Sequence, residues 1–322
     1  MTNPAAPRGA ERPPRGVAVW AAFVLLLAAA GTARAQQLEP RAYSPAPIGT
    51  NYFGVSYSYS SGDVSLDPSV PIENVQASIN GVAPYFGHTF GLLGRLASLG
   101  VAVPTAWGTV TGDVMESRRS VERSGFGDPQ LRFAVNLTGG PALSLADFLK
   151  HKPETTLGAS LVVVCPWGQY DDTRLINLGT NRWAAKPELG LSYPMGKWSF
   201  ELYAGLWVFA ENTDFFGGHV RKQDPLAAYQ AHLVRTFGRG KWAAFDFTYY
   251  SGGATTLDGQ RKDDRQDNTR AGLTFAVPVT KHQSLKATYA NGVTARIGSK
   301  FQTIAVAWQY LWFDPAKRPA GS

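Results

Sequence analysis

The sequence predicts an all-β protein, a transmembrane antiparallel up-and-down β-barrel of about 12 strands. Three observations carry that expectation. Segments of about ten residues alternate apolar and polar side chains, and the connections between them alternate between short and long. The chain also opens with a secretory leader and contains no later apolar run long enough for a membrane-spanning helix.

The leader sets the compartment. Arg8, Arg12 and Arg15 precede the apolar run Val17–Gly31, and Ala33-Arg34-Ala35 offers a small-x-small cleavage site before Gln36. That is the layout of a signal peptide over residues 1–35. A periplasmic N-terminal segment is expected over 36–49, the barrel over 50–313 and a periplasmic tail over 314–322. A single cysteine, Cys165, excludes an internal disulfide and a cysteine metal cluster. The formal charge of +7 shrinks once the leader's arginines are gone. What remains is too mild to argue for nucleic acid as a partner.

Twelve segments carry the strand pattern: 51–60, 75–86, 95–105, 128–138, 155–166, 183–194, 198–210, 225–237, 241–250, 270–278, 283–290 and 301–313. Tight turns follow the sixth, eighth and tenth, at Met195-Gly196-Lys197, Gly238-Arg239-Gly240 and Thr280-Lys281-His282. The odd-numbered connections read as long polar loops, among them DVMESRRSVERS, ENTDFFGGHVRKQD and SGGATTLDGQRKDDRQDN. Such asymmetry matches the periplasmic and extracellular rims of outer-membrane barrels. The one long connection on the short side contains LSLADFLKH, which predicts a brief amphipathic helix.

The two faces of each strand differ. In the ninth strand Ala243, Phe245, Phe247 and Tyr249 alternate with Trp242, Ala244, Asp246 and Thr248. In the sixth, Leu189 and Leu191 alternate with Lys186, Glu188, Gly190 and Ser192. The polar faces are rich in Gly, Ala and Ser, as in a confined lumen, and Tyr and Trp gather at the ends of the apolar faces, as in interfacial girdles. The last strand ends in Trp308, Tyr310, Trp312 and Phe313, the aromatic ending that barrel-assembly machinery reads. The tail after Phe313 departs from a strictly terminal aromatic.

Residues expected to line the lumen are Arg132, Lys186, Glu188, Glu201, His232, Asp246, Arg270 and Lys286. They either brace the wall as interior ion pairs or form a constriction that sorts solutes by charge. Counting outward from the tight turn Met195-Gly196-Lys197 sets Tyr193 close to Trp198 and Glu201 beside Gly190, within diagonal reach of Glu188. No G-x-S-x-G, H-E-x-x-H or Walker motif occurs, and the five histidines are scattered. The acidic stretch Leu257–Asn268 lacks the spacing of a calcium loop. Neither a catalytic site, a metal nor a cofactor is expected.

Several stretches resemble a known family: LEPRAYSPAPIGTNYF, GDPQLRFAVNL, LINLGTNRWAAKPELGLS, ENTDFFGG with QDPL, and YYSGGATTLDG. It is the outer-membrane family named for the meta-pathway of phenol degradation, and the likeness covers nearly the whole mature chain. The resemblance implies an outer-membrane channel or transporter for passive uptake of small organic compounds, aromatic or hydrophobic ones among them. It supplies no catalytic or binding residues. Its partners would be those solutes, outer-membrane lipid and the assembly machinery. Two other readings stay open: a structural or surface-interaction barrel without transport, and an outer-membrane lipid hydrolase. A lumen of this strand number is narrow, and LEPRAYSPAPIGT or an infolded loop could plug it.

Overall fold

The computed structural model describes residues 38–65, 72–114 and 117–315. The leader and all but the first two residues of the expected tail lie outside them. The elements in chain order are β1 (Thr50–Ser65), β2 (Ile72–Leu92), β3 (Arg95–Ala102), β4 (Thr105–Val114), β5 (Ser117–Phe126) and β6 (Gln130–Thr138). A one-turn helix α1 (Leu145–Phe148) follows, then β7 (Thr156–Val164), β8 (Ala184–Met195), β9 (Trp198–Phe209), β10 (Asn212–Phe215) and β11 (His219–Gln223). The chain continues through β12 (Leu226–Gly238), β13 (Lys241–Gly252), β14 (Thr255–Leu257), β15 (Gln260–Arg261), β16 (Gln266–Pro278), β17 (Gln283–Ala295) and β18 (Gly298–Phe313).

Fourteen of these segments form one antiparallel sheet, and β1 pairs with both β18 and β2, so the sheet closes. β3 with β4, and β5 with β6, are each one long strand interrupted by a proline, which cannot donate to the ladder. Counted so, the barrel has twelve strands. The two interruptions meet where Gly127 N–H donates to the Pro104 carbonyl at 2.7 Å, and Val103 N–H donates to the Pro84 carbonyl of β2 at 3.1 Å. Closure pairs the strands around the wall, as hydrocarbon surroundings require, while β5, at the end of the sheet order, pairs on one side with β4.

Three expectations about the connections need correction. DVMESRRSVERS is the tip of a hairpin, because β4 and β5 pair from Thr105↔Phe126 to Val114↔Ser117. Its arms carry no apolar stripe and do not read as strands in the sequence. ENTDFFGGHVRKQD and SGGATTLDGQRKDDRQDN contribute β10, β11, β14 and β15 to a second, four-stranded sheet. The connection between β17 and β18 is short, so the alternation of long and short fails there. All three tight turns are present, the first of them tighter than read because Met195 pairs with Trp198, and the turn Leu93–Gly94 joins them, with φ of 50° and 76° as a two-residue type I′ hairpin requires.

The outer face is an apolar band. Leu189, Phe200, Leu202, Leu233, Phe245, Phe247, Leu273, Phe275 and Ile304 are all exposed. An apolar area of this extent on a closed sheet is a lipid contact. The last strand tests the register. Val306 faces out and is 46% exposed, whereas Ala305 turns inward opposite Ser58. An arginine on the lipid face near the bilayer midplane costs about 2–4 kcal/mol. Val306→Arg should therefore lower the urea midpoint of the folded barrel in micelles far more than Ala305→Arg; the reverse order would put the strand one residue out of register.

Candidate functional site

The candidate site is the lumen, and the strand alternation chooses its side chains. Lys186, Glu188, Gly190 and Ser192 of β8 turn inward, as do Glu201, Tyr203 and Trp207 of β9, His232 of β12 and Asp246 of β13. Lys186 Nζ lies 2.9 Å from Glu188 Oε2, with side chains 6% and 1% exposed. Lys186 also sits over the Trp207 ring. His232 and Asp246 are direct cross-strand partners, so Nδ1 and Oδ1 stand 2.7 Å apart, and the Thr274 hydroxyl donates to Asp246 Oδ2 at 2.7 Å. Arg270 donates to the Phe301 carbonyl of β18 at 3.1 Å. Lys286 alternates along β17 with the outward-facing Leu285 and has Glu39 and Asp246 as its electrostatic neighbours.

The β8–β9 hairpin differs from expectation by two residues. Met195 pairs with Trp198, so Glu201 stands opposite Ser192 and Tyr203 opposite Gly190. Glu201 is met by hydroxyl donors: Oε2 accepts from the Tyr203 hydroxyl at 2.6 Å, and Oε1 from the Ser192 hydroxyl at 3.3 Å.

The N-terminal segment, assigned to the periplasm by its place in the chain and also offered as a plug of the lumen, takes the second of these places. Residues 38–47 run inside the barrel, entering from the tight-turn end. Glu39 N–H donates to Gln230 Oε1 at 3.3 Å, Arg41 N–H to Glu201 Oε2 at 2.7 Å and Ala42 N–H to the Tyr203 hydroxyl at 3.2 Å. Tyr43 is 2% exposed; its hydroxyl lies 2.9 Å from Ser160 Oγ and donates to Glu188 Oε1 at 3.0 Å. Arg132 covers the Tyr43 ring and reaches the Ala42 carbonyl, while Arg41 covers Trp242. Gly158 and Gly190 make room, since a Cβ at either would overlap the Tyr43 ring. The segment turns at residues 40–43, with Arg41 at a φ of 67° and Ser44 N–H on the Arg41 carbonyl at 3.1 Å, and the N–H groups of Glu39, Arg41 and Ala42 find lumen side chains rather than a ladder.

Opposite this plug the lumen keeps a cavity of about 240 Å³. Ser56, Ser58, Gly81, Ala83, Ala106 and Gly108 floor it, and Ile176 and Leu178 of the loop spanning 165–183 cover it. That loop is pinned. Asp128, fully buried, accepts from Gly168 N–H at 2.9 Å and from Thr180 N–H and hydroxyl at 2.8 and 2.7 Å, and Arg123 Nε donates to the Ile176 carbonyl at 2.9 Å. The floor hydroxyls are partly committed, with Ser56 donating to the Ala83 carbonyl and Ser60 paired with Thr303. The remaining surface is largely apolar.

His232 Nε2 has no hydrogen-bond partner among the described residues. Outside the membrane region, Asp258 between β14 and β15 accepts from Val220 N–H at 2.8 Å and contacts His219 Nδ1 at 2.5 Å. Those contacts hold its carboxyl below the usual range. Sequence reasoning did not pick out Glu39, Arg41 and Tyr43 as site residues. The inward-facing glycines 158 and 190 were the available signal.

The sequence matches no curated protein. Among solved structures, the barrel is similar to an outer membrane channel from Pseudomonas putida F1, with a TM-score of 0.72 and 22% identity over 86% of this chain and 100% of that one. It is also similar to the transport unit of the autotransporter AIDA-I from Escherichia coli, with a TM-score of 0.51 and 9% identity over 95% of this chain and 100% of that one. Both share the closed outer-membrane barrel. Residues 59–310, most of the barrel, match the family described as "Putative MetA-pathway of phenol degradation", and the chain belongs to that family.

Proposed function

We propose that the chain is an outer-membrane channel for the passive uptake of small organic compounds, aromatic or hydrophobic ones among them. In this reading the tight-turn end faces the periplasm. The observation that carries it is the cavity of about 240 Å³ that the lumen keeps between the β1–β2–β4 wall and the loop spanning 165–183. A dry cavity of about 150 Å³ accepts benzene, so the space suits a one-ring aromatic with a small polar group. Serine hydroxyls already engaged with the wall offer such a solute weak handles, which favours passage over tight retention. The family's link to phenol degradation supports the same solute class. Arg132, Glu188 and Glu201 contact the plug, which favours a bracing role for them over selection of ions.

The test is uptake of a labelled one-ring aromatic by cells with and without the protein. Cells carrying it should take up the solute faster, and Ser58→Trp, which fills the cavity, should remove most of that gain. Equal uptake with and without the protein would reject the channel reading. It would favour a surface-interaction barrel, for which the second sheet of β10, β11, β14 and β15 would be the working part.

A further inference from the structure

Along β12, His232 and Val234 are buried toward the lumen, so Leu233, Arg235 and Phe237 project to the lipid face. Arg235 sits at the tight-turn end. Its guanidinium lies 4.9 Å from the centre of the Trp198 ring and 5.6 Å from that of Phe237, both exposed. Arg235 pairs directly with Trp198, and the Lys197 carbonyl accepts from Thr236 N–H at 2.8 Å, so Lys197 stands beside it. Arg239, in the adjoining turn, and Lys241, at the start of β13, complete a cluster of four exposed cations. Among the described residues none of the four forms an ion pair with a carboxylate. The loop end behaves differently: Arg118, Arg261 and Arg296 are each paired, with Asp113, Asp224 and Asp263.

Exposed aromatics at the end of an apolar band mark the headgroup level of a bilayer. A guanidinium held over aromatic rings still presents edge N–H groups in a planar fork, the geometry that takes a phosphate by two parallel hydrogen bonds. The flanking lysines and arginine add charge with no acid among them, which favours a headgroup with net negative charge over a zwitterion. From this juxtaposition we propose that the tight-turn rim carries a binding site for an anionic glycerophospholipid, its phosphate on Arg235 and its acyl chains along Trp198 and Phe237. The proposal rests on the orientation given above, with this rim against the phospholipid leaflet, and not on transport.

The full-length barrel in detergent micelles, titrated with lipid and followed by native mass spectrometry, tests it. Phosphatidylglycerol should bind more tightly than phosphatidylcholine of the same chains. Arg235→Gln should weaken phosphatidylglycerol about fivefold, the worth of one cation at an anionic surface. Arg118→Gln at the opposite rim should leave binding unchanged. Heat-modifiable migration in a gel reports that each variant is folded; if Arg235→Gln does not fold, the double variant Lys197→Gln/Lys241→Gln is read in its place. Equal binding of the two lipids, or binding indifferent to both variants, would overturn the site. Lipopolysaccharide bound in preference, with the same dependence on Arg235, would overturn the lipid source and the orientation while leaving the uptake reading to its own assay.

Discussion

Deleting residues 38–46 is expected to raise the single-channel conductance of the barrel several-fold in a planar bilayer. The segment crosses the lumen, and its grip is local: three backbone N–H donors on Gln230, Glu201 and Tyr203, and the Tyr43 hydroxyl between Ser160 and Glu188. Each hydrogen bond contributes only about 0.5–1.5 kcal/mol net, so the wall loses a filler without losing its ladder. Pro47 is retained because its carbonyl accepts from the Thr50 and Thr89 hydroxyls at 2.7 Å each, tying the entry to the barrel. The seam between β1 and β18 is likewise untouched, since Asn51 still donates to Asp314 at 2.7 Å. An unchanged conductance in a correctly folded variant would mean that the segment is not what limits passage.

The second large effect is on stability. Lys186→Met should destabilise the barrel by about 3–5 kcal/mol, the usual cost of stranding one member of a buried ion pair. Glu188 would then keep one neutral donor to its carboxylate, the Tyr43 hydroxyl, in a site where its side chain is 1% exposed. Methionine keeps much of the stem that packs over Trp207, so the loss reads charge rather than volume. The double variant Lys186→Met/Glu188→Gln removes both charges and leaves an acceptor for Tyr43; it should recover most of the loss. Urea titration in micelles, followed by heat-modifiable migration, measures both. A single variant as stable as the parent would show that the pair does not brace the wall. The bracing reading also expects the reversal potential of a conducting channel to stay put in Lys186→Met, and a shift toward cations would return the pair to a selective role.

The outer surface was legible in the sequence because a strand has a period of two. Leu189, Phe247 and Val306 could be assigned to lipid from alternation alone, and no partner strand had to be known. The pairing of Lys186 with Glu188 was legible for the same reason, since residues two apart share a face. Contacts between strands were harder. Shifting the β8–β9 register by two keeps Glu201 on the inner face and moves its neighbour from Gly190 to Ser192, so alternation cannot detect the change. His232 and Asp246 were each placed inside, but their meeting depends on the register of the β12–β13 hairpin.

Beyond the membrane the pattern disappears, because both faces of a strand there can meet water. The arms of the hairpin from Thr105 to Phe126 therefore read as loop, and only their ladder makes them strands. The N-terminal segment carries no period at all. Its amino acids allow an extended chain with one large ring, and nothing local says whether that chain lies outside the barrel or within it. The place of Tyr43 is decided by the closed wall: Gly158 and Gly190 become neighbours only when β7 pairs with β8, and together they leave a hollow the size of one aromatic ring. Alternation along a strand is a local property and so belongs to the sequence, whereas a lumen exists only after the first and last strands have met.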